Sequence, residues 1–172
     1  MALIVETGTG ASDSDSYISL VDARAYGLKY GYTLPIDDDL ADVALRKGVL
    51  YADLFESSYS GTRVNDDQAL AWPRNNAYKC VRYDQIAIAN DSIPVEIQNA
   101  QVIAASFYGA GLDVRANDDG NSIASEEVVG AVKVSYFDNG KTGASIEITE
   151  ATDMLTILMC IGSSLSMRTV RV

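Results

Sequence analysis

Ser60-Gly-Thr-Arg-Val-Asn-Asp-Asp-Gln-Ala-Leu-Ala-Trp-Pro-Arg74 holds the only tryptophan of the chain, Trp72, beside one of its three prolines, Pro73. A tryptophan buries roughly 150–250 Å2, so in a small domain other elements close over this ring. Pro73 supplies no amide hydrogen and biases Trp72 toward extended backbone. Arg63 and Arg74 bracket the segment with two fixed positive charges. The stretch reads as a structured crossover loop that locks two helices together, with Arg63, Trp72, Pro73 and Arg74 as the residues that fix it.

The flanking helices follow from periodicity. Leu40, Val43, Ala44, Lys47, Leu50, Tyr51 and Leu54 recur at helical spacing, with Lys47 the one polar member, and predict a helix from Leu40 to about Phe55. Asp37-Asp38-Asp39 before it reads as a cap at the positive end of the helix dipole rather than as a metal site. Ser19, with Asp22 three residues on, opens an earlier helix from about Leu20 to Lys29, expected to bury Leu20, Val21 and Tyr26. After the tryptophan loop, residues 75–90 show no clean period. Ile93-Pro94 then begins a helix over roughly Pro94 to Tyr108, proline being tolerated in a first turn. Ile97, Ala100, Ala104 and Phe107 share one face of it, and Val102 and Ile103 widen that face enough for more than one neighbour. At the N-terminus, Leu3 to Val5 reads as a short extended segment followed by a flexible polar loop. Gly8-Thr9-Gly10 lacks the preceding strand and following lysine of a phosphate loop.

From residue 113 the pattern changes. Asp113 to Ser125 is polar and reads as a loop, without the spacing of a calcium site. Val132, Val134 and Tyr136 alternate with Lys133 and Ser135, Asp138-Asn139-Gly140 signals a turn, and Ile146 and Ile148 alternate on the return, which predicts a β-hairpin. An isolated hairpin is marginal in water, so this one needs a partner. Met154, Leu155, Leu158 and Ile161 stripe a last helix from Thr149 or Glu150 to about Ile161, ahead of a serine-rich tail with Arg168 and Arg171. The expected fold is mainly α: a small bundle of three to four helices with a β-hairpin and an extended C-terminal arm. The expected division is a helical core over 1–115, a flexible loop over 116–127, and a hairpin, short helix and arm over 128–172. Tyr136, Leu158, Arg168 and Arg171 are the candidates for contacts between chains.

Composition narrows the function classes. At 172 residues the chain suits one domain with a real core. Its 13 Lys and Arg stand against 24 Asp and Glu, a net charge of −11, whereas a phosphate-gripping surface needs a basic stripe. The absence of histidine removes Ser-His-Asp and Cys-His sites, histidine-ligated metals and a histidine base. No nucleophile–base pair, metal ligand set or cofactor cradle stands out, so no enzyme activity is expected. Cys80 and Cys160 are far apart, outside any Cys-x-x-Cys pattern, and read as two free thiols. The apolar run Met154 to Gly162 is far short of the ~20 residues that span a bilayer. No membrane partner is expected, and no signal peptide is visible, which points to synthesis in the cytoplasm. The ten tyrosines suit a core and protein interfaces better than base stacking, which needs a positive groove.

Several pieces resemble a tailed-phage protein family. They are Ala2 to Gly10, Asp15 to Ala23, Gly61-Thr62-Arg63, Gln68-Ala-Leu-Ala-Trp-Pro-Arg74, Ile93-Pro94 before an alanine-rich helix, and Glu126 to Gly130 before a strand. The Ala-Trp-Pro-Arg piece is the most specific. Members are often labelled DnaT-like single-stranded DNA-binding proteins, and they are similar to head–tail connector adaptors, or head-completion proteins. The resemblance spans roughly residues 2 to 137 and is weaker beyond. It implies a virion protein of the phage neck, made in the host cytoplasm: a homo-oligomeric ring of twelve subunits, bound to the portal above and to a tail or nozzle protein below. DNA passes through the lumen without being held. The alternative it carries is single-strand binding, and the two make opposite demands on charge: a binder needs a basic aromatic groove, whereas an acidic lumen repels a passing polyanion. The net charge of −11 favours the adaptor.

Overall fold

A computed structural model describes residues 2–81, 84–112 and 148–159, and the backbone of 125–128 and 132–135. The chain divides into two compact units, residues 1–112 with 148–172, and residues 113–147.

In the first unit, α1 (Leu20–Tyr30), α2 (Asp38–Asp53), α3 (Val95–Gly109) and α4 (Thr149–Met159) form a small bundle. Their starts follow the local chemistry. The Ser19 hydroxyl accepts the Asp22 amide at 3.1 Å, and Asp37 accepts the Leu40 amide at 3.0 Å, each satisfying an orphan donor of a first turn. The aspartate run before α2 is thus used as a cap. Tyr51 of α2 does the same for α4: its hydroxyl accepts the Ile148 amide at 3.0 Å and lies 2.8 Å from the Thr152 hydroxyl.

The central helix is α3. Ile97, Ala100, Gln101, Val102, Ile103, Ala104 and Ala105 are all buried on it, and α1, α2 and α4 each pack against it. The width of its apolar face announced this. Ile18, Ala23, Ala44, Leu45, Val102 and Ala105 make one core cluster, edged by Leu3, Leu20, Tyr26 and Leu34. Helix α4 adds Ala151, Leu155, Leu158 and Met159 to the buried set and contacts α3. It therefore belongs to the helical unit instead of standing apart with the segment before it.

The face that α2 presents to the core differs from expectation. Ala41, Ala44, Leu45, Gly48, Val49, Tyr51 and Ala52 are buried, whereas Leu40, Val43, Leu50 and Leu54 are 49–60 % exposed. Close approach decides it. A Cβ on Gly48 would lie 2.4 Å from the Gln101 carbonyl oxygen of α3, so α2 turns its small residues inward. Gly48→Ala is expected to lower stability by about 1–3 kcal/mol, from forced backbone separation, although Ala is the better helix former by roughly 1 kcal/mol. Chemical denaturation checks this. In α1 likewise, Ala23 and Gly27 are buried and Val21 is 77 % exposed, a correction to its expected burial.

Short strands fill the segment between α2 and α3. Strand β1 (Thr62–Arg63) pairs antiparallel with β2 (Arg74–Asn75), setting Arg63 opposite Arg74. Strand β3 (Tyr78–Val81) pairs antiparallel with β4 (Asp84–Ala87), Val81 opposite Asp84. That hairpin was not legible from its aperiodic sequence. Cys80 on β3 is disulfide-bonded, which corrects the expected free thiol. Linear spacing carries no information about a bond made across tertiary contacts, and β3 packs beside α4. Cys160 lies outside the described residues.

In the second unit, β5 (Ser125–Val128) pairs antiparallel with β6 (Val132–Ser135), Val128 opposite Val132. The expected strand at 132–136 is present as β6, with its described partner before it. The expected turn at Asp138-Asn139-Gly140 and the return strand through Ile146 lie outside the described residues, and Ile148 is buried just before α4.

Candidate interaction surfaces

The tryptophan loop is fixed by polar groups that its own sequence supplies. Trp72 is fully buried, as is Pro73 after it, with a cis peptide bond between them. The Tyr59 ring lies 5.7 Å from the indole. Arg74, only 6 % exposed, donates to the carbonyls of Ser60 at 2.9 Å, Ala71 at 3.2 Å and Gly61 at 2.8 Å. Arg63 grips Glu56 with two bonds of 2.6 and 2.7 Å and donates to the Gln68 carbonyl at 2.8 Å. That fork holds the Glu56 carboxyl below its usual range. Buried Gln68 acts as an internal strut, accepting the Val64 and Asn65 amides and donating to the Leu70 and Pro73 carbonyls. Among the described residues, Trp72 Nε1 is a buried polar atom without a hydrogen-bond partner.

A buried network joins this loop to the bundle. The Trp72 amide donates to the Tyr17 hydroxyl at 3.2 Å, and that hydroxyl donates to Asp53 at 2.6 Å. Asp53 also accepts the Ala71 amide at 3.2 Å. The Tyr17 amide donates to Gln101 at 2.9 Å, and Gln101 donates to Ser16 and to the Leu45 carbonyl. One chain of bonds thus ties the segment before α1, both central helices and the loop. Sequence reasoning missed Tyr17, Asp53 and Gln101, because nothing in the local pattern marks a polar residue that tertiary packing will enclose.

Burial outweighs the hydrogen bonds to Asp53 and pushes its carboxyl up to about 6. The folded state then holds the proton more tightly than the unfolded chain. The stability tied to Asp53 is fully present below about pH 4 and is lost as the pH rises through about 6, by on the order of 3 kcal/mol. Denaturation curves across that window should show this fall, and Asp53→Asn should remove it.

The N-terminal loop is a second closed anion site. Glu6 is 3 % exposed; one carboxylate oxygen accepts the amides of Gly8, Thr9 and Gly10, and the other accepts those of Ala11 and the Ser14 hydroxyl. The amides that a phosphate loop would offer to a ligand are filled by the chain's own carboxylate. Burial alone would raise the Glu6 carboxyl, but these donors hold it below its usual range. Gly8 has φ of +98°, and a Cβ there would meet the Asp91 carbonyl oxygen at 1.9 Å. Asn65 donates to the carbonyls of Thr9 and Gly10, clipping this loop to the tryptophan segment. The expected flexible loop is therefore an ordered one.

Among the described residues of the helical unit, most cations are paired with its own carboxylates. Arg24 pairs with Asp38, Arg46 with Asp15, Arg63 and Arg74 with Glu56, and Lys79 with Glu96. Lys47 lies 5.6 Å from the Tyr108 ring centre and Lys29 5.1 Å from that of Tyr30. Of the residues expected to contact other chains, Leu158 is fully buried in the core of its own chain, which withdraws it from that role. Tyr136, Arg168 and Arg171 lie outside the described residues. Exposed apolar surface is found elsewhere, on the outer face of α2 and around the α1–α2 turn, where Leu28 is 90 % and Ile36 is 97 % exposed. Among the described residues no helix is long and apolar enough to cross a membrane.

A family model described as "Putative DnaT-like ssDNA binding protein" matches residues 1–172. The chain belongs to this family. No curated protein and no solved structure is significantly similar to it. The match runs through the final helix and tail, beyond the part of the chain that carries the resemblance to the phage proteins.

Proposed function

We propose that this member of the DnaT-like family is a structural assembly subunit, an adaptor ring between the portal and tail of a phage through which DNA passes without being held. The supporting observation is the disposition of charge. The net charge is −11, and Arg24, Arg46, Arg63, Arg74 and Lys79 are all paired with carboxylates of the same chain. Such a surface repels a passing polyanion. The nearly fully exposed Leu28 and Ile36 also suit a protein that docks on other proteins. Light scattering of the purified chain with and without the portal protein tests this. A ring that forms on the portal is the expected result, and failure to join the portal overturns the reading.

The second reading is single-strand binding. The family's own description favours it directly, and it places the nucleic-acid contacts on cations other than the paired ones above. Fluorescence anisotropy with a labelled oligonucleotide at about 50 mM salt separates the two. Tight binding that weakens steeply with added salt would establish the second reading, and no binding would leave the first.

A further inference from the structure

The first turns of α2 carry Asp38, Asp39 and Asp42, spaced so that Asp42 shares a face with each of the other two. With Ser19 and the apolar Leu3, Val5 and Leu20, they line an open pocket of about 400 Å3, the size of a small-ligand site. Two of the three carboxylates already have a positive partner. Asp38 pairs with Arg24 at 2.7 Å, and a hydrogen bond and charge from the amino terminus hold the Asp39 carboxyl below its usual range. Asp42 is different. It is only 7 % exposed, yet among the described residues its carboxylate has neither a hydrogen bond nor an ion pair. Arg46, one turn on and the natural helical partner, is turned away to Asp15 at 2.6 Å and to the Ala2 carbonyl at 3.2 Å. An enclosed carboxylate without a partner is strongly unfavourable, and this one lines the pocket.

The pocket therefore calls for one positive charge on an apolar stem. A hard divalent ion takes about six or more oxygens, and no group of acids among the described residues could hold a metal. A guanidinium suits Asp42 better than an ammonium does. Its planar fork meets a carboxylate with two parallel bonds, and its weaker hydration lowers the penalty for entering an enclosed site. The methylenes of its stem match the apolar wall of Leu3, Val5 and Leu20. Free arginine brings a carboxylate of its own, and the lining of the pocket holds acids but no basic residue to receive it. An arginine within a peptide has no such carboxylate. We infer that this pocket receives an arginine side chain of a partner protein, with Asp42 as its anchor. The site requires neither DNA nor self-association, and it stands under either reading of function above.

Titration of the isotope-labelled full chain with the amide-capped, acetylated peptide Ala-Ala-Arg-Ala-Ala, followed by amide NMR, tests this. Saturable shifts confined to the amides around Ser19, Leu20 and Asp42 are expected, with Kd on the order of 1 mM. The citrulline peptide, close in shape but uncharged, should not bind, and the lysine peptide should bind about fivefold more weakly or worse. Asp42→Asn should weaken the arginine peptide about tenfold or more, while melting no lower than the wild type, since it removes an unpaired enclosed charge. Equal binding of the arginine and citrulline peptides overturns the inference. So does undiminished binding by Asp42→Asn, or the absence of saturable shifts up to about 20 mM peptide. Free arginine that binds as tightly as the peptide would make the site one for a small molecule and overturn the protein partner. The full chain with Arg168→Gln and Arg171→Gln separates an outside partner from the chain's own tail. It should bind like the wild type; a variant that binds the peptide where the wild type does not would place the tail in the pocket and overturn the outside partner.

Discussion

Trp72→Ala is expected to destabilise the helical unit by about 3–5 kcal/mol, the cost of emptying a large fully buried aromatic site. The ring is 0 % exposed, it packs near Tyr59, and its backbone amide is one link of the bonds through Tyr17 and Asp53. The cavity cannot be refilled cheaply, because Arg74 and Gln68 hold the loop around it at fixed carbonyls. Since a small domain has about 5–15 kcal/mol in total, the alanine variant should be largely unfolded in mild denaturant. Trp72→Phe is the informative partner. Among the described residues the indole Nε1 has no hydrogen-bond partner, so phenylalanine loses volume but also removes a buried unsatisfied donor, whose burial costs roughly 1–3 kcal/mol. The Phe variant should therefore lose much less than the Ala variant. Equal losses by chemical denaturation would show that the polar atom is not the liability described.

Glu6→Ala is expected to cost about 3 kcal/mol and to act locally first. Its carboxylate accepts amides from Gly8, Thr9, Gly10 and Ala11 together with the Ser14 hydroxyl; a hydrogen bond to a charged group contributes about 1.5–3 kcal/mol net, and the five are not additive because the freed amides are rehydrated. Without the acceptor, residues 8–11 must turn their amides to water. Hydrogen exchange at those amides should speed up while α2 and α3 stay protected. Glu6→Gln should fall between wild type and Ala, because one amide oxygen survives and the NH2 group faces donors. The folded carboxyl lies below its usual value, so its stabilising share is complete above the usual carboxylate range and is lost as the pH falls through the lower folded value. This trend opposes that of Asp53, whose share is lost as pH rises. A Glu6 variant should thus be less sensitive to acid than the wild type, relative to its own stability at neutral pH.

The elements were largely legible because their signals are local. Caps at Ser19 and Asp37, the proline-led start of α3 and the Met154–Leu158 stripe depend on neighbours within four residues, and the helices lie where those signals put them. The outward face of α2 was legible only in part. Its residues are plain in the sequence, but α2 carries two apolar faces, and periodicity cannot rank them. The structure buries the face with Ala41, Ala44, Gly48 and Ala52, because only small side chains let the α2 backbone approach the Gln101 carbonyl so closely. The larger leucines are left outside. The same reason hid Gln101, Tyr17 and Asp53, polar residues whose partners lie 18 to 85 positions away. It also turned a glycine-rich loop into a closed site around Glu6. Helix positions, net charge and the absence of histidine chemistry belong to the sequence by itself. Tertiary structure alone decided which face of α2 is core, which carboxylates are enclosed and where the last helix packs, because each depends on how near two backbones can come.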